Sequence, residues 1–241
     1  MLIHDVLCVY LNEDKYIFLL TMIYIFIHIC AISNYRSVFM KLLNTIKSSN
    51  LYNLITKIYV VVLGVYDITD EMYKDPKLEV IYNTENTRVY ERVTLNFMRQ
   101  HALKHEENQK YLYLHTKGLK YNGLQDNVND WIDLMLYYLV KNHETCIRML
   151  EQYDACGLNF LCNPHPHFSG NFWWANSYHI KKLPHLQNYD WYHESEMWLC
   201  YCNGSYVTLH QSKVNHYLTR YPASLYEGVP LSNCEVMHIE L

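Results

Sequence analysis

Between Lys57 and Gly64 the chain runs Ile58-Tyr-Val-Val-Val-Leu63, nearly all β-branched or aliphatic and without alternation. A strand with one face in water alternates apolar and polar residues. A run without alternation fits a strand covered on both faces, the usual state of a parallel strand in a layered α/β sheet. The preceding residues supply the rest of such a unit. Met22 to Cys30 reads as another buried strand and Ser33-Asn34 as a helix N-cap, while Val38, Phe39, Leu42, Leu43 and Ile46 recur at helical spacing in a helix from about Tyr35. The chain therefore opens β-α-β. A strand over Leu78 to Tyr82, a helix near Arg92 to His105 and a strand over Tyr111 to Leu114 continue the alternation.

From Asp130 the spacing of Trp131, Leu134, Met135, Tyr138, Leu139, Cys146, Met149, Leu150 and Tyr153 predicts one long apolar stripe up to Gly157. Leu158 to Leu161 and Tyr206 to Leu209 read as strands and Lys182-Leu-Pro184 as a turn. The tail from Tyr221, with Pro222, Gly228 and Pro230, reads as an extended surface segment. No repeat or linker divides the chain, and its length suits one core. The expectation is a single α/β domain with a mixed, mainly parallel sheet flanked by helices and a tail over 221–241.

The formal charge is −4, and the Lys and Arg residues are scattered rather than clustered. That balance argues against a nucleic-acid polymer as partner. It leaves room for a small anionic ligand, because one placed cation such as Lys117 suffices for a diphosphate. The eight cysteines lack the density of a small secreted scaffold and read as reduced thiols. Cys200-Tyr-Cys202 reads as two thiols on one side of a strand, with no second pair to complete a zinc site. Tyr16 to Ile32 is seventeen residues without Asp, Glu, Lys or Arg. The alternatives there are a membrane anchor and a core segment; the run lacks a basic region before it and has Asp5, Glu13 and Asp14 upstream, which favours a cytoplasmic protein.

Two strings carry chemistry. Tyr111-Leu-Tyr-Leu-His115-Thr-Lys-Gly118 is a β-type run that ends in an imidazole, a hydroxyl, a cation and a glycine. Ligands of open α/β sheets sit beyond the carboxyl ends of the strands, so His115, Thr116 and Lys117 are candidate binding residues. His167-Phe-Ser-Gly-Asn-Phe-Trp-Trp-Ala-Asn176 sets aromatic faces beside Ser and Asn donors, which suits a ligand that is half ring face and half hydroxyl, as a sugar is. The competing reading is a buried aromatic hairpin.

Laid out in this order, the sequence resembles nucleotide-sugar glycosyltransferases of the GT-A type, in a group found in large DNA viruses and bacteria. The resemblance rests on Tyr90-Glu-Arg-Val-Thr-Leu95, Tyr113-Leu-His-Thr-Lys-Gly118, Asp130-Trp131, Tyr153-Asp154 with Gly157 and Asn159, His167 to Asn176, Glu196-Met-Trp198 and Ser212-Lys-Val-Asn-His-Tyr217. It implies one Rossmann-like GT-A domain over 21–220, whose first half holds the nucleotide and whose second half holds the acceptor, with an extension over 1–20 beyond the family core. It also implies transfer of a hexose from a nucleoside diphosphate sugar to a glycan or glycoprotein. Where such enzymes carry Asp-x-Asp to hold a divalent cation, this chain reads His115-Thr-Lys117. Lys117 is then the expected diphosphate neutraliser, with His115 and His216 as the metal ligands if Mn or Mg binds.

On the same reading Tyr90, Thr94, His115, Thr116, Lys117 and Gly118 bind the donor. Gly170, Asn171, Trp174 and Asn176 meet sugar or acceptor. Glu196 takes the acceptor's proton, with Glu194 and Asp190 in reserve and Trp198 supplying apolar surroundings. Trp173 and Trp174 on a strand face opposite ways, so one stacks on sugar while the other packs in the core. The rivals are a catalytically inactive glycan or nucleotide-sugar binding protein on the same fold, and a metal-dependent hydrolase built on His165-Pro-His167, which lacks a third ligand at defined spacing.

Overall fold

The computed structural model describes residues 22–119, 125–187, 193–229 and 235–239. Strand β1 (Ile23–Cys30) is followed by helix α1 (Tyr35–Ser48), the short α2 (Leu51–Leu54), β2 (Ile55–Leu63), β3 (Leu78–Thr84), α3 (Arg92–Leu103) and β4 (Lys110–His115). Helix α4 (Asp126–Leu136) runs through a π-helical turn (Tyr137–Lys141) into α5 (His143–Met149). Then come β5 (Ala155–Gly157), β6 (Phe160–Leu161), β7 (His167–Phe168), β8 (Trp173–Asn176), α6 (Ser177–Lys182), α7 (Glu194–Met197), β9 (Gly204–Thr208) and β10 (Glu235–Ile239). Eight strands form one sheet in the order β10-β9-β5-β8-β4-β1-β2-β3, and β6 pairs with β7 in a separate hairpin. Strands β3, β2, β1 and β4 are mutually parallel, β8 runs antiparallel to β4 and β5, and β10 runs antiparallel to β9.

The expected α/β domain with a mixed, mainly parallel sheet is what forms, because β1 has two faces to cover. Ile23, Ile25, Ile27 and Ile29 pack with the buried stripe of α1 (Val38, Phe39, Leu42, Leu43, Ile46) and with Trp131, Leu134 and Met135 of α4. Tyr24 and Phe26 face the other way, onto Leu95, Met98 and Ala102 of α3 and onto Trp198. Each such side chain withdrawn from water is worth about 1.5–3 kcal/mol, so the two layers hold the sheet between them. Residues 23–30 of the apolar run 16–32 are thus a central strand of the sheet rather than an anchor; residues 16–21 lie outside the described residues, as does the whole expected extension over 1–20. Among the described residues no helix is long and apolar enough to cross a membrane.

Three expectations shift. The single long helical stripe starts earlier, at Asp126, and breaks at the π turn, where Asn142 N–H and Nδ2 both donate to Tyr137 O. The extra residue re-phases the stripe, so Tyr138, Leu139 and Cys146 all stay buried despite the break. The expected surface tail contributes β10 to the sheet edge and buries Tyr226 against the core. Cys200 and Cys202 fall in and after a 3₁₀ turn (Trp198–Cys200) rather than on a strand.

Candidate functional site

The chain leaves β1 through α1 toward β2 on one side, and returns through β3 and α3 to place β4 on the other side of β1. The strand order thus reverses between β1 and β4, with α1 packed on one face of the sheet and α3, which leads into β4, on the other, and a crevice opens beyond the carboxyl ends of the two strands. The two strands stay in register to the His28–His115 pair. Beyond it Thr116 N–H donates to His28 O at 2.9 Å, and Thr116 Oγ1 accepts from Cys30 N–H at 3.0 Å. The resulting cleft of about 560 Å³ is lined by His28, Cys30, Tyr90, Glu91, His115, Thr116, Lys117, Gly118, His193 and Tyr217, among others.

Five of the six expected donor-binding residues meet there: Tyr90, His115, Thr116, Lys117 and Gly118. Thr94 does not line it. It sits buried in the first turn of α3, and its hydroxyl bonds His28 Nδ1 at 2.9 Å, so it acts on the cleft only through that ring. Tyr90 turns the chain into α3 at φ 49°, a conformation that costs a non-glycine residue roughly 1–3 kcal/mol and is typical of functional turns. The Lys117 ammonium lies 4.0 Å from the centroid of Trp131 and 5.6 Å from that of Tyr217, a cation held on two ring faces.

Glu91 was not singled out from the sequence and is the only carboxylate among the described lining residues. Its Oε2 accepts from Tyr113 Oη at 2.7 Å and from Asn171 Nδ2 at 2.5 Å, and its Oε1 lies 3.9 Å from His115 Nδ1. Burial pushes its carboxyl up, but His115, His28, the Tyr113 hydroxyl and Lys117 together outweigh burial and hold it below the ordinary range. His28 is lowered to about 4, by burial first and by His115 next, against the pull of Glu91. The available sequence signal was position alone: Glu91 lies inside the quoted Tyr90–Leu95 string.

The aromatic stretch divides. Gly170 and Asn171 reach the cleft wall: Gly170 O accepts from His115 Nε2–H at 3.0 Å, and Asn171 bridges Glu91 and the Trp173 indole N–H at 2.8 Å. Gly170 is required for protein packing rather than for ligand approach, since at φ 94° a Cβ would lie 2.7 Å from Met135 Sδ and 3.0 Å from the Trp131 ring. Trp174 is fully buried and donates to Leu139 O at 2.8 Å, so it is core. Trp173 packs on the opposite face with Trp198 and is buried too, so neither tryptophan offers a face to a sugar. Asn176 pairs with Lys110 at the far end of β4, away from His115. Period-two alternation separated the two rings correctly, but both faces of the sheet are covered.

Glu196 is not among the cleft-lining residues. It lies on α7 with Oε2 3.7 Å from Nδ1 of His193, which does line the cleft. Glu194 forms a largely buried ion pair with Arg92 at 2.8 Å, and Asp190 lies outside the described residues. Trp198 is buried, its indole N–H donating to Pro184 O.

The expected metal pair is not presented as a ligand set. His115 Nε2 is engaged with Gly170 O, and His216 Nε2 with Ser212 Oγ at 2.7 Å and Asn159 Nδ2 at 3.3 Å. His216 stacks on Trp131 at 5.0 Å and is lowered to about 4, by burial first, then by His210 and Lys117 against Asp130. Among the described residues no three His, Cys, Asp or Glu side chains converge as a metal group. His167 Nδ1–H donates to His165 O within the β6–β7 hairpin.

None of the curated proteins matches the sequence. A family model described as a domain of unknown function (DUF8361) matches residues 37–224, a span running from α1 past β9 and including every cleft-lining residue named above except His28 and Cys30. By the extent of that match, the chain belongs to the DUF8361 family.

Proposed function

We propose that the protein is a nucleotide-sugar-dependent glycosyltransferase of the GT-A type, acting in the cytoplasm, which moves a hexose from a nucleoside diphosphate sugar to a glycan or glycoprotein acceptor. The observation that carries this reading is the cleft at the β1/β4 switch point, with Lys117, Thr116 and Gly118 at its strand-end wall. In the transfer, the bond from the anomeric carbon to the diphosphate breaks as the acceptor oxygen attacks, and charge grows on the departing phosphate. Lys117, already fixed over Trp131, offers a positive charge there without reorganising. No nucleic-acid polymer and no membrane enters the reading.

The test is a thermal-shift screen against UDP, GDP, dTDP and CMP sugars, each with Mn, Mg or EDTA. One nucleotide should stabilise the wild type, and Lys117→Met should abolish that shift. Stabilisation that survives EDTA assigns the diphosphate to Lys117. If no nucleotide sugar shifts the transition, the reading falls.

A second reading, a catalytically inactive glycan or nucleotide-sugar binding protein, draws on the position of Glu196 outside the cleft lining. Donor hydrolysis or transfer that disappears in Lys117→Met would remove it. Binding without turnover under any metal would select it.

A further inference from the structure

We propose that Glu91 is the hydroxyl-reading residue of the cleft: its Oε1 accepts a hydrogen bond from a ring hydroxyl of the bound nucleotide sugar, on the hexose or on the ribose, and so decides which ligands are taken. The inference rests on the glycosyltransferase reading and deepens it. The two carboxylate oxygens have different surroundings. Oε2 is saturated by Tyr113 and Asn171, whereas Oε1 has only the His115 ring, at 3.9 Å and beyond hydrogen-bond distance. One oxygen is thus an anchor and the other an acceptor on a residue that lines the cleft.

The anchor matters energetically. Tyr113 comes from β4 and Asn171 from the turn before β8, so the Glu91 side chain is held from two directions before any ligand arrives, and a hydroxyl meeting it spends little ordering entropy. An ionised carboxylate is acceptor-only and makes short, strong bonds to hydroxyl donors. It also repels phosphate. Glu91 enters the cleft from the turn into α3 and Lys117 from beyond the end of β4, so the cleft sorts the two ends of a nucleotide sugar by charge, hydroxyls toward Glu91 and diphosphate toward Lys117. Such a site rejects an analogue that lacks the hydroxyl, because a partly buried acceptor is then left without a donor.

The experiment is calorimetric titration of the wild type and Glu91→Gln with UDP-glucose, UDP and 2′-deoxy-UDP, or with the GDP-mannose, GDP and 2′-deoxy-GDP series if that nucleotide stabilises the wild type. Melting temperature is followed throughout. Weakening of the nucleotide sugar by roughly tenfold or more, with the diphosphate unchanged, assigns the hydroxyl to the hexose. Weakening of sugar and diphosphate alike, with the 2′-deoxy compound unchanged, assigns it to the ribose. Equal affinities in both proteins overturn the inference and leave the glycosyltransferase reading standing, whereas no binding to the wild type overturns both. Tyr113→Phe is the control for a merely structural role, since it removes one anchor and leaves Oε1 in place. If it weakens the nucleotide sugar as much as Glu91→Gln does, Glu91 is a brace and the inference fails.

Discussion

Asn171 and Asn176 bracket β8, and their surroundings differ as the two ends of the sheet differ. Asn176 Nδ2 donates to Leu150 O and Tyr153 O at 2.8 and 2.9 Å, and its Oδ1 accepts from Asn108 Nδ2 at 2.9 Å. Beside it Ser177 Oγ accepts from Gln109 N–H at 2.8 Å. At that end the polar groups consume one another and the protein closes. At the other end Asn171 is bonded to Glu91, but Glu91 keeps an oxygen for the cleft, and His115, Lys117 and Tyr90 stand around an open volume. The same strand therefore ends in a polar seal on one side and a polar surface on the other. The cause is topology: the segments around Asn108–Gln109 and Leu150–Tyr153 close over the Asn176 end, whereas the reversal of strand order between β1 and β4 leaves the carboxyl ends of those strands open.

The comparison breaks most readily at Trp174, which the closed core claims. Trp174→Ala should cost about 3–5 kcal/mol by urea unfolding, since it empties a fully buried site and orphans Leu139 O. A much smaller loss would mean that the ring is not core after all. Asn176→Ala should cost about 1–3 kcal/mol, as two backbone carbonyls lose their donors in a buried place. Loss of donor binding in that variant with unchanged stability would reassign Asn176 to the site.

The closed end should also carry a dependence on pH. His101, buried and bonded to Tyr111 Oη at 2.7 Å, is lowered to about 4, by burial first and then by His105 and Lys104. In the unfolded chain the ring takes its proton near 6.5, so between 6.5 and 4 the unfolded state binds more protons than the folded one. This contribution is therefore fully present above pH 6.5 and falls as the pH drops toward 4, by at most ~1.4 kcal/mol per pH unit. His101→Gln should flatten the urea-midpoint profile over that window, and an unchanged slope would show that the ring titrates normally. The smallest stability effect belongs to the open end: Lys117→Met keeps the stem on Trp131 and should change unfolding by less than about 1 kcal/mol while removing the nucleotide-sugar shift.

Much of the fold was legible in local pattern. Ile58 to Leu63 announced a doubly covered strand because burial on both faces leaves no polar position to interrupt the run, and Val38, Phe39, Leu42, Leu43 and Ile46 announced α1 because one face of that helix meets the sheet. The site was legible in its strand half. His115 to Gly118 had to lie at a strand end, whatever the partners. It was illegible in Glu91, whose importance comes from Tyr113 and Asn171, distant in the chain and joined to it only by folding. The aromatic stretch was misjudged at Trp174 and Asn176 for a related reason: alternation says which side chains oppose each other, not whether a helix covers both sides.

Periodicity, β-branching and the string His115-Thr-Lys-Gly118 by themselves determined the layered α/β class, the central strands and one wall of the cleft, since these follow from local propensity and from which faces must leave water. The second wall, the burial of both tryptophans, the contribution of Glu235–Ile239 to the sheet edge and the split between a sealed and an open end were decided only in three dimensions. Each depends on which helix covers which end of the sheet, a quantity set by contacts between residues far apart in the chain that no local pattern encodes.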